Sequence, residues 1–373
     1  MINRRSERQK LVQSILRQTG DQSAMSDKQL KSAIFHVITT EEHGKISSLQ
    51  DKQQLADQIF ADMRGLDILQ DLFNDHKITE IMVNGPSQIF IEKEGSISKV
   101  DLSFENDDHL RNFIARCFGS ANRLISEHVP IAGMKLADGS RLQAVLSPAA
   151  VNGPYISIRR FTGIKPELSQ LEAAGFLSHK TKIVLQKAVE SKKNIFISGG
   201  TGSGKTTFLN ALSDCIPKTE RIITIEDEAE LDLQGISDLV RLQARLPAPD
   251  GSGEITLSDL IRLSLRMRPD RIIVGEVRGR EAYDMIQAMH TGHPGSMSTG
   301  HGNSAADMLE RLSLMLIMNS SIPWEACRML VAQAVDLVVQ LKRTSSGLRL
   351  ISEVVSVDGI DNDNFTMTDL LEE

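Results

Sequence analysis

Lys205, Thr206 and the glycines before them are residue types whose spacing can do phosphate chemistry. The stretch Gly199-Gly-Thr-Gly-Ser-Gly-Lys-Thr206 has the form G-x-x-x-x-G-K-T. An apolar run, Ile195 to Ile197, leads into it, and Thr207, Phe208, Leu209, Ala211 and Leu212 follow at helical spacing. Strand, glycine loop and helix start, in that order, make a phosphate-binding loop. Glycines let backbone N–H groups curl around a phosphate chain, and the helix N-terminus adds partial positive charge. Gly200, Thr201, Gly202, Ser203, Gly204 and Thr207 would surround the phosphates, Lys205 would reach the β- and γ-phosphates, and the Thr206 hydroxyl would ligate Mg²⁺. The expected ligand is a nucleoside triphosphate.

Carboxylates and histidines recur at other strand ends. Arg271-Ile-Ile-Val-Gly-Glu276 is an apolar strand ending in a carboxylate. Ligands of open parallel sheets lie beyond the carboxyl ends of strands, so Glu276 is expected in the same crevice, orienting and polarising the attacking water. A second apolar run, Ile222–Ile225, is followed by Glu226, Asp227, Glu228 and Glu230. These carboxylates can hold Mg²⁺ through water or position the nucleophile, although acidic residues are also common at helix starts. His293 and His301 lie in the run Thr291–Ser304. A histidine after a strand end can hydrogen-bond a γ-phosphate and report its loss. Each alone also reads as structural or solvated, and their spacing is not that of a metal site.

The elements that must position these groups follow from periodicity. Leu30, Ala33, Ile34 and Val37 share a helical face, as do Leu55, Ile59, Phe60 and Met63, and Leu11, Ile15 and Leu16 before them. Residues 1–75 therefore read as a helical bundle or docking segment. Period-two patterns then begin: Ile78–Val83, Gln88–Glu92 and Ile97–Val100 form a meander. A helix from Asp107 to Phe118 follows, then strands near Met134–Leu136, Arg141–Val145 and Tyr155–Arg159. This is an α+β domain over 76–162. Gly163 and Pro166 mark a linker. Over 163–345 short hydrophobic strands alternate with helices, the pattern of a parallel sheet buried on both faces. Residues 346–373 are left as a C-terminal strand or tail.

Composition excludes several classes. The 373 residues are 40% hydrophobic and 4% aromatic, so the cores rest on aliphatic side chains and methionine. A net charge of −7 argues against broad nucleic-acid binding. Cys117, Cys215 and Cys327 are scattered, which suggests neither a disulfide frame nor a zinc site. With no apolar stretch long enough for a signal peptide or a bilayer span, the expected location is cytoplasmic, with any membrane contact made through a partner.

The motifs GGTGSGKTT (199–207), TIEDEAEL (224–231), LRMRPDRIIVGEVRG (265–279) and TGHPGSMSTGHGNS (291–304), in this order, resemble the motor ATPases of type II secretion, type IV secretion and type IV pili. Further stretches, ITEIMVNGP (78–86), LADGSRLQAV (136–145), SIRRF (157–161) and MIQAMHTGHPGS (285–296), resemble the CpaF/TadA-type ATPase of Flp (Tad) pilus assembly. The resemblance implies a RecA-like P-loop NTPase domain preceded by a small α+β (PAS-like) domain. It implies ATP and Mg²⁺ as cofactors, a homohexameric ring, and an inner-membrane platform protein as partner. It assigns catalysis to Glu276, the acidic box to Glu226, Asp227 and Glu230, γ-phosphate sensing to His301, and completion of the site to Arg141, Arg159 or Arg160. The tetracysteine zinc element usual in type II secretion relatives is missing, and Met134-Lys135 stands where an acidic-arginine pair is common. A type IV secretion traffic ATPase is the alternative reading. A RecA-like nucleic-acid motor is disfavoured by the acidic charge and scarce aromatics.

Overall fold

Aliphatic residues that alternate between two cores build the sheet that carries the glycine loop. The computed structural model describes residues 15, 27–41, 48–121, 123–160, 165–245, 247, 251–344 and 347–371, and falls into two units, Met1–Gly163 and Ile164–Glu373. The linker expected at Phe161–Pro166 lies mostly outside the described residues, as does most of the first predicted helix.

The first unit opens with helices α1 (Asp27–Glu41) and α2 (Leu49–Arg64). Ile15, Leu30, Ile34, Val37, Ile38, Ala56 and Ile59 bury their side chains together, so the predicted apolar faces do meet. A short helix, α3 (Gln70–Asn74), precedes six antiparallel strands: β1 (Ile78–Asn84), β2 (Ile89–Lys93), β3 (Ser96–Val100), β4 (Ile131–Lys135), β5 (Arg141–Val145) and β6 (Tyr155–Arg159). Their order is β3-β2-β1-β6-β5-β4. Helix α4 (Asp107–Ser120), capped by the Asn106 side chain, packs Leu110, Phe113, Ile114 and Phe118 onto Ile81, Val83, Leu142, Ala144, Ile156 and Ile158. Because strand side chains alternate, Arg141 and Arg159 fall on the opposite face.

The second unit contains α5 (Leu168–Ala173), α6 (His179–Glu190), β7 (Ile195–Gly199), α7 (Lys205–Ser213), β8 (Arg221–Glu226), β9 (Asp238–Gln243), α8 (Leu257–Ser264), β10 (Arg271–Val274), α9 (Glu281–His290), β11 (Met297–Gly300), α10 (Ala305–Met318), α11 (Trp324–Ala334), β12 (Leu337–Arg343), β13 (Arg349–Asp361) and β14 (Asn364–Asp369). The eight strands run in the order β14-β13-β12-β7-β11-β10-β8-β9. The pairs from β12 through β9 are parallel, while β12–β13 and β13–β14 are antiparallel. This is the mainly parallel α/β sheet expected from the alternating pattern. Phe196, Ile223, Ile225, Ile272 and Val274 face a core shared with α8 to α11, whereas Ile195, Ile197, Ile222, Ile273 and Met297 face α5 to α7. Residues 349–369, in the stretch expected as a strand or tail, supply two strands of this same sheet. Strand β12, unmarked in the sequence, lies directly against β7 with Leu341 opposite Gly199.

At the N-terminal edge of the sheet, Asn194 joins several elements. Its Nδ2 donates to Ala334 O at 2.8 Å and Met289 O at 3.3 Å, and its Oδ1 accepts the Ser296 N–H at 3.1 Å. Among the described residues no helix is long and apolar enough to cross a membrane.

Candidate active site

The loop after β7 owes its shape to glycine. Gly202 (φ 72°) and Gly204 (φ 93°) occupy the left-handed region. A Cβ at Gly199 would stand 2.7 Å from Leu341 O and 2.6 Å from Ser203 Oγ, so strand β12 itself forbids a side chain there. Helix α7 starts on Gly204 without a side-chain cap, whereas Asn106, Ser178, Thr256 and Ser304 cap α4, α6, α8 and α10 with their own oxygens. The open helix start at α7 suits an anion. Ser203 Oγ is buried with no hydrogen-bond partner. Thr206 is half-buried in the first turn, and Thr201 and Thr207 are exposed beside it.

Lys205 is buried, and its Nζ donates to Gly199 O at 2.9 Å and Gly200 O at 3.1 Å. It also stands 3.4 Å from His301 Nδ1. On the other side of the imidazole, Nε2 is 2.8 Å from Glu276 Oε1, an ion-pair distance without hydrogen-bond alignment. Glu276 Oε2 in turn accepts a hydrogen bond from Arg278 Nη2 at 2.6 Å. Lys205, His301, Glu276 and Arg278 thus form one chain of alternating partners across the ends of β7, β11 and β10. Burial and then the Lys205 charge lower the His301 pKa, against the opposing pull of Glu276. The neutral ring is therefore favoured over the imidazolium. Glu276 raises the pKa of Arg278, assisted by Asp227, and keeps it a cation. Beside this chain lies a cavity of about 750 Å³ lined by Gly200, Thr201, Arg278, His301, Asp307 and Arg311 among others.

The acidic box divides by burial. Glu226 is 3% exposed and accepts the Glu230 and Leu231 N–H groups at 2.9 and 2.8 Å. Burial raises its pKa, and its second oxygen is buried without a hydrogen-bond partner. Its carboxylate folds the loop after β8. Asp227 is exposed and close enough to act on Arg278, and Glu230 is half-buried beside Glu226. An uncapped helix start, a lysine at the loop and a nearby exposed carboxylate fit a triphosphate with a divalent cation.

The two histidines separate. His301 follows the C-terminal end of β11, whereas His293 precedes its start, where its carbonyl accepts from Ser296 Oγ at 2.8 Å. His293 is thus at the edge of the sheet away from the phosphate loop. In the first unit Lys135, Arg141 and Arg159 are successive cross-strand neighbours on β4, β5 and β6. Like charges directly opposite one another oppose strand pairing, so this cationic row is a candidate anion surface. Arg160 differs: its Nη1 donates to Asp75 O at 2.6 Å and its guanidinium stacks 4.8 Å over Phe73.

Sequence reasoning missed the arginines of the C-terminal strands. Arg349 Nε donates to Gly202 O at 2.8 Å, and Arg343 Nη1 approaches the same glycine. Their signal is only legible once β12 is recognised as the neighbour of β7.

The family described as Type II/IV secretion system protein matches residues 62–354. The type IV secretion system protein PtlH of Bordetella pertussis is 34% identical over 71% of this chain and 86% of its own length. VirB11 of Brucella suis, also a type IV secretion system protein, is 31% identical over 74% of this chain and 84% of its own. The solved structure of the pilus retraction motor PilT superposes with a TM-score of 0.54 at 20% identity, covering 77% of this chain and 81% of PilT, which is agreement of fold.

Proposed function

Because the chain belongs to the type II/IV secretion system protein family, we propose that it is a motor ATPase. It hydrolyses Mg-ATP in a hexameric ring and powers pilus assembly or protein secretion through an inner-membrane platform. The observation that carries this reading is the run of side chains from Lys205 through His301 to Glu276 at the mouth of the Gly199–Thr206 loop. Lys205, Thr206, Thr207 and the loop from Gly200 to Gly204 bind the triphosphate. Thr206, with Asp227 and Glu226 through water, would hold Mg²⁺, whose charge would offset that developing on the phosphates. Glu276 orients the attacking water and receives its proton. His301, neutral, accepts from Lys205 at Nδ1 and carries its one N–H at Nε2 beside Glu276, from where it turns to the γ-phosphate and registers its departure; Glu230 supports the acidic loop. Arg141 and Arg159, neighbours in the cationic row, reach the phosphates from a second copy of the chain; Arg160 backs them from its place on Phe73.

Two machines use such chemistry. The stretches at 78–86, 136–145, 157–161 and 285–296 favour a Tad/Flp pilus role, in extension or retraction. The PtlH and VirB11 relatives favour a type IV secretion traffic ATPase about equally. Either way the protein works at the cytoplasmic side of the membrane through partners and does not act on nucleic acid. Phosphate release from Mg-ATP by the wild type and by Glu276→Gln tests the common core. The variant should bind ATP while turnover drops by about 10²–10⁴-fold, the usual worth of a general base; equal rates would remove Glu276 from the mechanism. Co-purification with membrane proteins of the host, a pilus platform or a conjugation-type channel, separates the two machines.

A further inference from the structure

One hairpin at the C-terminal end of the chain reaches both loops of the nucleotide site. Gln340 on β12 and Glu353 on β13 are cross-strand partners, so their side chains emerge side by side. Both go to the turn that carries His301. Gln340 Nε2 donates to Gly302 O at 3.0 Å, and Glu353 Oε2 accepts the Ala305 N–H at 3.0 Å, in the first turn of α10. Gln340 is 4% exposed, so water is not available to take over its bond. The turn is also confined from below: a Cβ at Gly302 would stand 2.6 Å from Ser198 Oγ and 3.2 Å from Met308 Cβ.

The register of the hairpin shifts at this point. Gln340 pairs with Glu353 and Leu341 with Ile351, which leaves Ser352 as an extra residue, its Oγ donating to Gln340 O at 3.3 Å. Bulges of this kind re-aim side chains beside functional sites. At its start the same strand β13 holds the phosphate loop, through Arg349 Nε to Gly202 O. His301 has 2.8 Å and 3.4 Å contacts on its two nitrogens, and a small displacement of the turn would break both.

We propose that Gln340 and Glu353 are positioning residues for γ-phosphate recognition. They fix the His301 turn against the strand pair that, through Arg349, also fixes the phosphate loop. Discrimination between ATP and ADP is thereby set from the C-terminal hairpin. The proposal rests on the ATPase reading above.

Calorimetric titration of the full chain with Mg-ATPγS and with Mg-ADP tests it, alongside thermal melting of each variant. The wild type should prefer ATPγS. Gln340→Leu and Glu353→Ala should each lose about five- to tenfold in ATPγS affinity, the worth of one buried hydrogen bond, with ADP affinity kept within about twofold. Glu353→Gln should restore the preference, because its amide oxygen still accepts the Ala305 N–H. In a His301→Ala background Gln340→Leu should have no further effect, the signature of action through that residue. If Gln340→Leu fails to melt cooperatively, the half-buried Glu353 and its two variants carry the test. An unmoved ATPγS-to-ADP ratio, an equal loss for both nucleotides, or a Gln340→Leu effect undiminished without His301 would overturn the role of the pair while leaving the ATPase reading standing. A wild type that binds neither nucleotide would sink that reading and this inference together.

Discussion

Lys205 is held by two loop carbonyls, and in the proposed reaction this aims its ammonium at the phosphates. Removing such a preorganised group costs about 10²–10³ in rate. Lys205→Ala should therefore lose at least that much turnover while melting cooperatively, since glycines and β12 shape the loop; a variant without a melting transition would contradict this. His301 gives a second outcome with a definite sign. Its pKa lies below the ordinary 6.5, because burial and Lys205 disfavour the imidazolium. The ATPase rate should hold from pH 8 down to 6.5 and decline only under more acidic conditions, as the ring gains a proton and Lys205 faces a like charge. His301→Gln should have a low rate without that His-dependent acid limb, which a pH–rate profile would reveal.

Among the elements, β10 is anchored at the end opposite Glu276. Arg271, its first residue, has no solvent exposure. It donates to Glu220 at 2.6 and 3.1 Å and to Val189 O at 2.7 Å. Gly295 (φ 82°) must lack a side chain because a Cβ would come 2.7 Å from Arg271 Nη1. Glu220→Ala leaves a buried guanidinium without its carboxylate and should cost about 3–5 kcal/mol in chemical denaturation. The pair also predicts acid sensitivity. Arg271 holds the Glu220 pKa below its ordinary 4.5, so the contribution is full above that value and is lost as pH falls through the lower folded pKa. Denaturation midpoints of the wild type should fall in that acid range, and those of Glu220→Ala should fall less. Such anchoring belongs to the element, since it keeps Glu276 in register without touching the phosphates.

For the whole molecule, the proposed ring makes the site a joint product of two copies. Arg159→Ala and Lys205→Ala chains, each inactive alone, should recover part of the ATPase activity when mixed, because one intact interface combines a good loop with a good arginine. A mixture as inactive as its parts would place the arginine in the same chain or outside the mechanism.

The linear order of residues was enough for everything that depends on local spacing. The glycine loop and the strand leading to Glu276 are read from motif and composition, and the amphipathic faces of α1 and α2 and the alternation in β2, β5 and β6 repeat at periods of 3.6 or 2, so their neighbours in sequence settle them. Four decisions needed contacts distant in sequence. Parallel pairing placed His301 beside Lys205 and left His293 at the opposite end of β11. Burial made Glu226 an acceptor for its own loop while Asp227 stayed exposed. Stacking on Phe73 distinguished Arg160 from Arg141 and Arg159. Finally, β12 lay down next to β7 more than 130 residues away, and so brought Gln340, Glu353 and Arg349 to the site. No periodicity encodes which strands become neighbours; the closing of a common core on both faces of the sheet decides it.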